Sequence, residues 1–249
     1  MSGHSKWANI KHKKAAQDAK KGKVFTKIAR ELAVAAREAG GDASSNPRLR
    51  LALEKAKSVN MPKENLERAV KKGTGEGADT HYESAIYEGY GPGGVAILVT
   101  ALTDNKNRTV ADVRKVLNKR GGSMGEAGCV SWIFEKKGIV YVRKDIIDED
   151  ALLTVALDFG ADDVSTEGDS YEIIIDIDKY ESLKNAFIEN NIRIDTSVIS
   201  MEPKNSIEID KSSAKKLFDM INELEDLDDV QEVYTNVDVN ESIMEDINV

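Results

Sequence analysis

Apolar residues recur at helical spacing from Val24 onward. Val24, Ile28, Leu32, Ala35 and Ala39 follow one another at steps of three and four, and Gly40-Gly41 ends the run, which predicts an amphipathic helix. Asn46-Pro47 then supplies an N-cap and a first-turn proline for a second helix with Leu49, Leu53 and Ala56 inward. Pro62 opens a third, with Leu66, Ala69 and Val70 inward and Gly73 as its C-cap. Each apolar stripe is too narrow to be stable alone, so 24–79 reads as a three-helix bundle ending in the glycine-rich linker GTGEGAD at 73–79. Beyond it, strand and helix periods alternate. Strands are expected at 82–88, 95–102 and 130–134, with a helix over about 108–119 preceded by the capping residues Asp104-Asn105 and Asn107.

A self-contained cycle follows: strand 139–143, helix 148–159, strands 162–166 and 171–177, helix 179–190, strand 193–201. This βαββαβ order is the ferredoxin-like pattern. After Pro203 come a strand at 206–209, a helix at 213–224 and a strand at 230–238. The expected fold class is α+β in three domains: an N-terminal three-helix bundle, then two α+β domains, one ferredoxin-like and inserted in the other. The expected boundaries are a basic arm at 1–23, the bundle at 24–79, a discontinuous α+β domain at 80–135 plus 204–249, and the inserted domain at 136–203. Insertion of a complete unit is plausible because domain termini usually lie close together.

Charge divides the chain more sharply than its net −9 suggests. Residues 1–75 hold 18 Lys and Arg against 7 Asp and Glu, whereas the remainder holds 17 against 37. So steep an asymmetry points to a polyanion-binding segment on an acidic body. Residues 1–23 carry too little apolar surface to fold by themselves. The candidate nucleic-acid contacts there and in the first helix are Lys6, Trp7, Lys11, Lys13, Lys14, Lys20, Lys23, Lys27 and Arg30. Lys20, Lys23, Lys27 and Arg30 fall at steps of three and four and form one basic stripe. Trp7 either stacks on an unpaired base or pins the arm to the bundle.

Little else carries chemistry. The glycine clusters at 73–77, 89–94 and 121–128 have no Lys-Ser/Thr pair behind them and do not lead from a strand into a helix, so turns and hinges explain them better than a phosphate loop. His4, His12 and His81 have neither catalytic surroundings nor ligand spacing, and Cys129 alone allows no internal disulfide or cysteine cluster. The expectation is a non-enzyme without cofactor or metal. The longest apolar stretch, at 95–102, is far below the roughly 18–20 residues of a membrane span. The Lys-rich start lacks the apolar core of a secretory signal, so a cytoplasmic location is expected.

Five segments in order, GHSKWANIKHKK at 3–14, NMPKENLERAVKKG at 60–73, YEGYGPGGVAILVTALTDNKNRT at 87–109, GGSMGEAGCVSWIFEKKG at 121–138 and LEDLDDVQEVYTNVDV at 224–239, closely resemble the YebC/PmpR family, whose relatives include the mitochondrial translational activator of cytochrome c oxidase. The resemblance spans nearly the whole chain. It implies a helical bundle followed by two α+β domains, one inserted in the other, with no known cofactor or catalytic residue. It also implies a DNA-binding transcriptional regulator, or alternatively a ribosome-associated translation factor binding ribosomal RNA. Ribosomal proteins, with their basic tails, are then partners suited to the acidic domains. By position, the family's basic N-terminal motif falls on Lys6, Trp7, Lys11, Lys13 and Lys14.

Overall fold

Helix α1 covers Lys21–Ala39, α2 Pro47–Ser58 and α3 Lys63–Gly73 in a computed structural model that describes residues 21–75, 81–166 and 168–238. The predicted stripes are the contact faces. Ile28, Leu32, Ala35 and Ala36 meet Leu49, Ala52 and Ala56, with Met61 and Ala69 closing the cluster. Asn46 caps α2 by accepting from Leu49 N at 3.0 Å, and its side-chain amide donates to Ala35 O and Gly40 O at 2.7 and 2.8 Å. One buried side chain thus satisfies the last turn of α1 and the first of α2 together. Gly73 is the last residue of α3 rather than a cap beyond it. A methyl group there would run into the backbone of Ala33, so this glycine permits the close crossing of α3 over α1.

Beyond the bundle lie β1 (Glu83–Tyr90), β2 (Ala96–Thr103), α4 (Lys106–Lys119), β3 (Ser123–Met124) and β4 (Phe134–Arg143). They are followed by α5 (Glu149–Asp158), β5 (Ala161–Ser165), β6 (Ser170–Asp176), α6 (Ile177–Glu189) and β7 (Thr196–Pro203). The chain ends through β8 (Ile207–Glu208), α7 (Lys211–Glu225), β9 (Val230–Thr235) and β10 (Val237–Asp238). It divides into two compact units: Trp132–Asn205, and the segments before and after it taken together.

The Trp132–Asn205 unit holds a four-stranded antiparallel sheet in the order β5-β6-β4-β7. Counted from its own first strand this is 2-3-1-4, the ferredoxin-like arrangement that the βαββαβ period predicts. Its two helices bury Leu152 and Ala156 of α5, and Tyr180, Leu183, Ala186 and Phe187 of α6. The Tyr180 ring lies directly on Gly138 of β4, and a side chain there would overlap it. Lys137, one residue earlier, meets Asp162 at 2.9 Å, Glu135 at 3.6 Å and Asp176.

The other α+β sheet runs β3-β1-β2-β9, antiparallel throughout, with β8 and β10 forming a small parallel pair. Val95, Ile97 and Val99 are buried against Val113, Val116 and Leu117 of α4 and Leu217, Phe218, Ile221 and Leu224 of α7. Asn105 caps α4 by accepting from Arg108 N at 3.1 Å, as its position predicts. The expected strand at 130–134 is a correction. Ser131–Ile133 is a 3₁₀ turn, and the strand begins at Phe134. The physical reason is Glu88, whose buried carboxylate accepts from Gly128 N, Val130 N and Ser131 N at 2.7, 2.8 and 2.7 Å. Backbone donors claimed by a side chain are not available to a ladder.

Candidate nucleic-acid interface

A basic side chain that its own fold already neutralises reaches a phosphate only by exchanging one partner for the other. Lys6, Trp7, Lys11, Lys13, Lys14 and Lys20 lie outside the described residues. Lys23, Lys27 and Arg30 are described, and they line one face of α1 at i, i+4 and i+7, the spacing that a helix brings into register. That face meets the acidic turn after α7. Lys23 Nζ donates to Asp226 O at 3.2 Å and Asp226 Oδ1 at 3.3 Å. Lys27 Nζ donates to Glu225 O at 2.7 Å. Arg30 Nη1 donates to Asp228 O at 2.5 Å and Asp229 Oδ1 at 2.8 Å. Every one of these bonds joins residues about two hundred positions apart. Three of the four positions expected in the stripe thus share one face, and its outward chemistry is met by the chain's own helix terminus, whose carbonyls favour cations.

Asp229 is the deepest point of this contact. Its Oδ2 accepts from Arg108 Nη2 at 2.6 Å, Thr109 Oγ1 at 2.7 Å and Thr103 Oγ1 at 3.2 Å, while Oδ1 takes Arg30. Burial alone would raise this carboxyl. Hydrogen bonds from Arg108 and Thr109 and the charges of Arg108 and Arg30 outweigh it and hold the group below the usual carboxylate range. Asp229 therefore ties together α1, the end of β2 and the first turn of α4. Burial grades along the stripe. Lys23 and Asp226 are about half exposed, at 51% and 52%, whereas Arg30 and Asp229 are exposed by only 15% and 8%.

Other cations of the bundle differ in their surroundings. Arg48 pairs with Glu38 at 2.6 Å, Lys63 with Glu67 at 3.6 Å, and Lys55 with Glu232 of β9 at 2.7 Å, a second tie between the bundle and the sheet. Around Tyr82 the surface is cationic. Arg30 Cζ and Lys72 Nζ stand 5.2 and 5.4 Å from its ring centroid, and Arg37 Nη1 lies 3.1 Å from His81 Nδ1. Lys57, Arg68 and Lys71 are exposed.

Sequence reasoning missed Asp229, Glu88 and Tyr82. The signal for Asp229 was present in LEDLDD at 224–229, an acidic run whose spacing complements the basic stripe, but only a contact between distant segments reveals the match. Glu88 is held below the usual carboxylate range because its three backbone donors outweigh a burial that pushes the other way. Its neighbour Tyr90 donates its hydroxyl to Cys129 O at 3.1 Å, so two alternate residues of β1 seat the loop before Ser131. Cys129, beside Glu88 in this loop, has its thiol pushed up by burial and by the Glu88 charge, the opposite of an activated nucleophile. Among the described residues no cluster of three His, Cys, Asp or Glu side chains could hold a metal ion, and no helix is long and apolar enough to cross a membrane.

Comparison with known proteins agrees with this architecture segment by segment. Residues 5–76 match the TACO1/YebC protein N-terminal domain, and residues 82–237 match the TACO1/YebC second and third domain. A protein of Dictyoglomus thermophilum is 50% identical over 248 residues, covering 99% of this chain and 100% of its own length. One from Desulforapulum autotrophicum is 51% identical over 243 residues, 98% of each chain. Both are named probable transcriptional regulatory proteins. The crystal structure of a conserved hypothetical protein from Aquifex aeolicus is 43% identical and superposes with a TM-score of 0.81 over 90% of this chain and 93% of its own. With two family models spanning both ends of the fold and relatives identical at about half of all positions, the chain belongs to the TACO1/YebC family.

Proposed function

We propose that this protein is a non-enzymatic regulator of gene expression that grips nucleic-acid phosphates through its basic N-terminal segment, acting as a DNA-binding transcriptional regulator. One observation carries this reading: 18 of the chain's 35 cations lie in its first 75 residues, against 7 of its 44 carboxylates. Such a segment supplies affinity through counterion release without sequence preference. The naming of its relatives as transcriptional regulatory proteins supports the same reading.

A second reading is favoured by a different observation. Residues 40–46 separate α1 from α2, a connection longer than the three- or four-residue turn of a helix-turn-helix. An α1–α2 pair without that turn, carrying its cations in a row along α1, suits backbone and shape recognition, which is how structured RNA is bound. On this reading the chain is a translation factor on ribosomal RNA, with its acidic domains against basic ribosomal proteins.

Crosslinking protein to nucleic acid by ultraviolet light in living cells, then sequencing what is attached, tests both. Enriched promoter DNA is the expected result. Ribosomal RNA enriched at one defined site replaces the first reading with the second, and no enrichment of either removes both. In vitro, the logarithm of affinity for duplex DNA is expected to fall with the logarithm of salt by roughly 0.9 per phosphate contacted. A flat response contradicts phosphate binding.

A further inference from the structure

The acidic turn after α7 is held in place for reasons of its own. Leu224 is fully buried, Leu227 packs on the same core, and Leu227 N and Val230 N donate back to Leu224 O and Leu227 O at 3.1 and 3.2 Å. The turn thus presents Glu225 O, Asp226, Asp228 O and Asp229 at fixed positions to Lys23, Lys27 and Arg30. A row of oxygen acceptors, one after another along a basic helix face, is what a nucleic-acid strand offers the same face. We infer that residues 225–229 occupy the α1 stripe as an internal stand-in for phosphate, so that nucleic acid reaches Lys23, and then Lys27, by displacing Asp226 and its neighbours. The inference rests on the nucleic-acid reading above and concerns the regulation of that site.

The gradient of burial makes the displacement partial. Lys23 and Asp226 are half exposed, screened by water and held weakly. Asp229 is buried, Arg30 is mostly covered, and Asp229 is tied as well to Arg108, Thr103 and Thr109, so removing one partner there leaves a largely desolvated charge. The outer pair is a latch that a phosphate opens, and the inner pair keeps the bundle docked while it does.

The test uses the full chain with a fluorescein-labelled DNA duplex and a labelled RNA hairpin, with affinity read by anisotropy across a salt series. Asp226→Asn keeps the shape of the side chain and removes its charge. It is expected to bind whichever probe the unsubstituted protein binds about 2- to 5-fold more tightly, the fold-change that corresponds to an exposed ion pair. The salt slope is expected to steepen by up to roughly 0.9 as Lys23 gains a phosphate. Lys23→Ala in the Asp226→Asn background removes the gain. Asp178→Asn, which takes one exposed carboxylate from the ferredoxin-like unit, gives none. Equal affinity of Asp226→Asn and the unsubstituted protein overturns the inference, as does a gain that survives Lys23→Ala or appears with Asp178→Asn. If the unsubstituted protein and Asp226→Asn both ignore both probes, the nucleic-acid reading itself falls, which is a different result from equal binding.

Discussion

The two units of this chain are held together in different ways. Trp132–Asn205 closes on itself within one stretch of sequence: its sheet ladders, the Tyr180–Gly138 contact and the Lys137 cluster all join residues of that stretch. The other unit has apolar cores too, but its bundle is tied to its α+β part by charges from opposite ends of the chain: Arg30 with Asp229, Lys27 with Glu225 O, Lys55 with Glu232. The contrast shows that a contiguous unit relies on periodic burial, whereas a discontinuous one adds specific polar contacts that fix which distant segment docks where.

Asp229→Ala breaks this contrast most strongly. It takes from Arg30 and Arg108 the buried carboxylate they share; Arg108 is nearly half exposed and keeps Asp104, so the cost is about 3 kcal/mol, the low end for a buried pair. Hydrogen exchange should quicken in α1–α3 while residues 134–203 keep their protection. Protection lost equally in both units counts against the separation. Acid gives the same answer by another route. Because the Asp229 carboxyl is held below its ordinary range in the fold, its stabilisation is complete above about pH 4 and is lost as pH falls through the lowered folded value. Asp229→Asn should therefore flatten the acid limb of a stability–pH curve; an unchanged limb refutes that role.

The reciprocal experiment is Gly138→Ala, whose methyl group would collide with the Tyr180 ring. Overpacking of this kind costs about 3 kcal/mol, and here protection should fall in the ferredoxin-like unit and persist in α1–α3. Glu88→Gln comes next. It keeps one acceptor and removes the charge that draws three backbone donors, a loss of about 2 kcal/mol, read as faster exchange at Gly128, Val130 and Ser131. An unaltered loop would mean that Tyr90 suffices to seat it. Lys23→Ala is the smallest, within about 0.5 kcal/mol of the unsubstituted protein in thermal unfolding, because both members of its ion pair are half exposed. A large loss would move Lys23 from the latch to the fixed part of the clamp.

Legibility in the sequence follows the same division. The βαββαβ order, the bundle helices and the caps at Asn46 and Asn105 are visible because periodicity and capping are local. The strand expected at 130–134 failed because Glu88, some forty residues earlier, takes the backbone donors that a ladder would use. The basic stripe was visible as a pattern on α1. Its occupation by residues 225–229 was not, since nothing in a window around Lys23 or Arg30 reveals a turn two hundred residues downstream.

That distance has a consequence in time. Arg30 and Asp229 are 199 residues apart, and a ribosome adding roughly 5–20 residues per second takes about 10–40 s to make the interval between them. During every round of synthesis α1 emerges first, and the acidic turn that will cover it does not yet exist. Vectorial synthesis therefore gives the young chain a period in which Lys23, Lys27 and Arg30 face their surroundings without that cover, and a segment translated some two hundred residues later is the one that ends it.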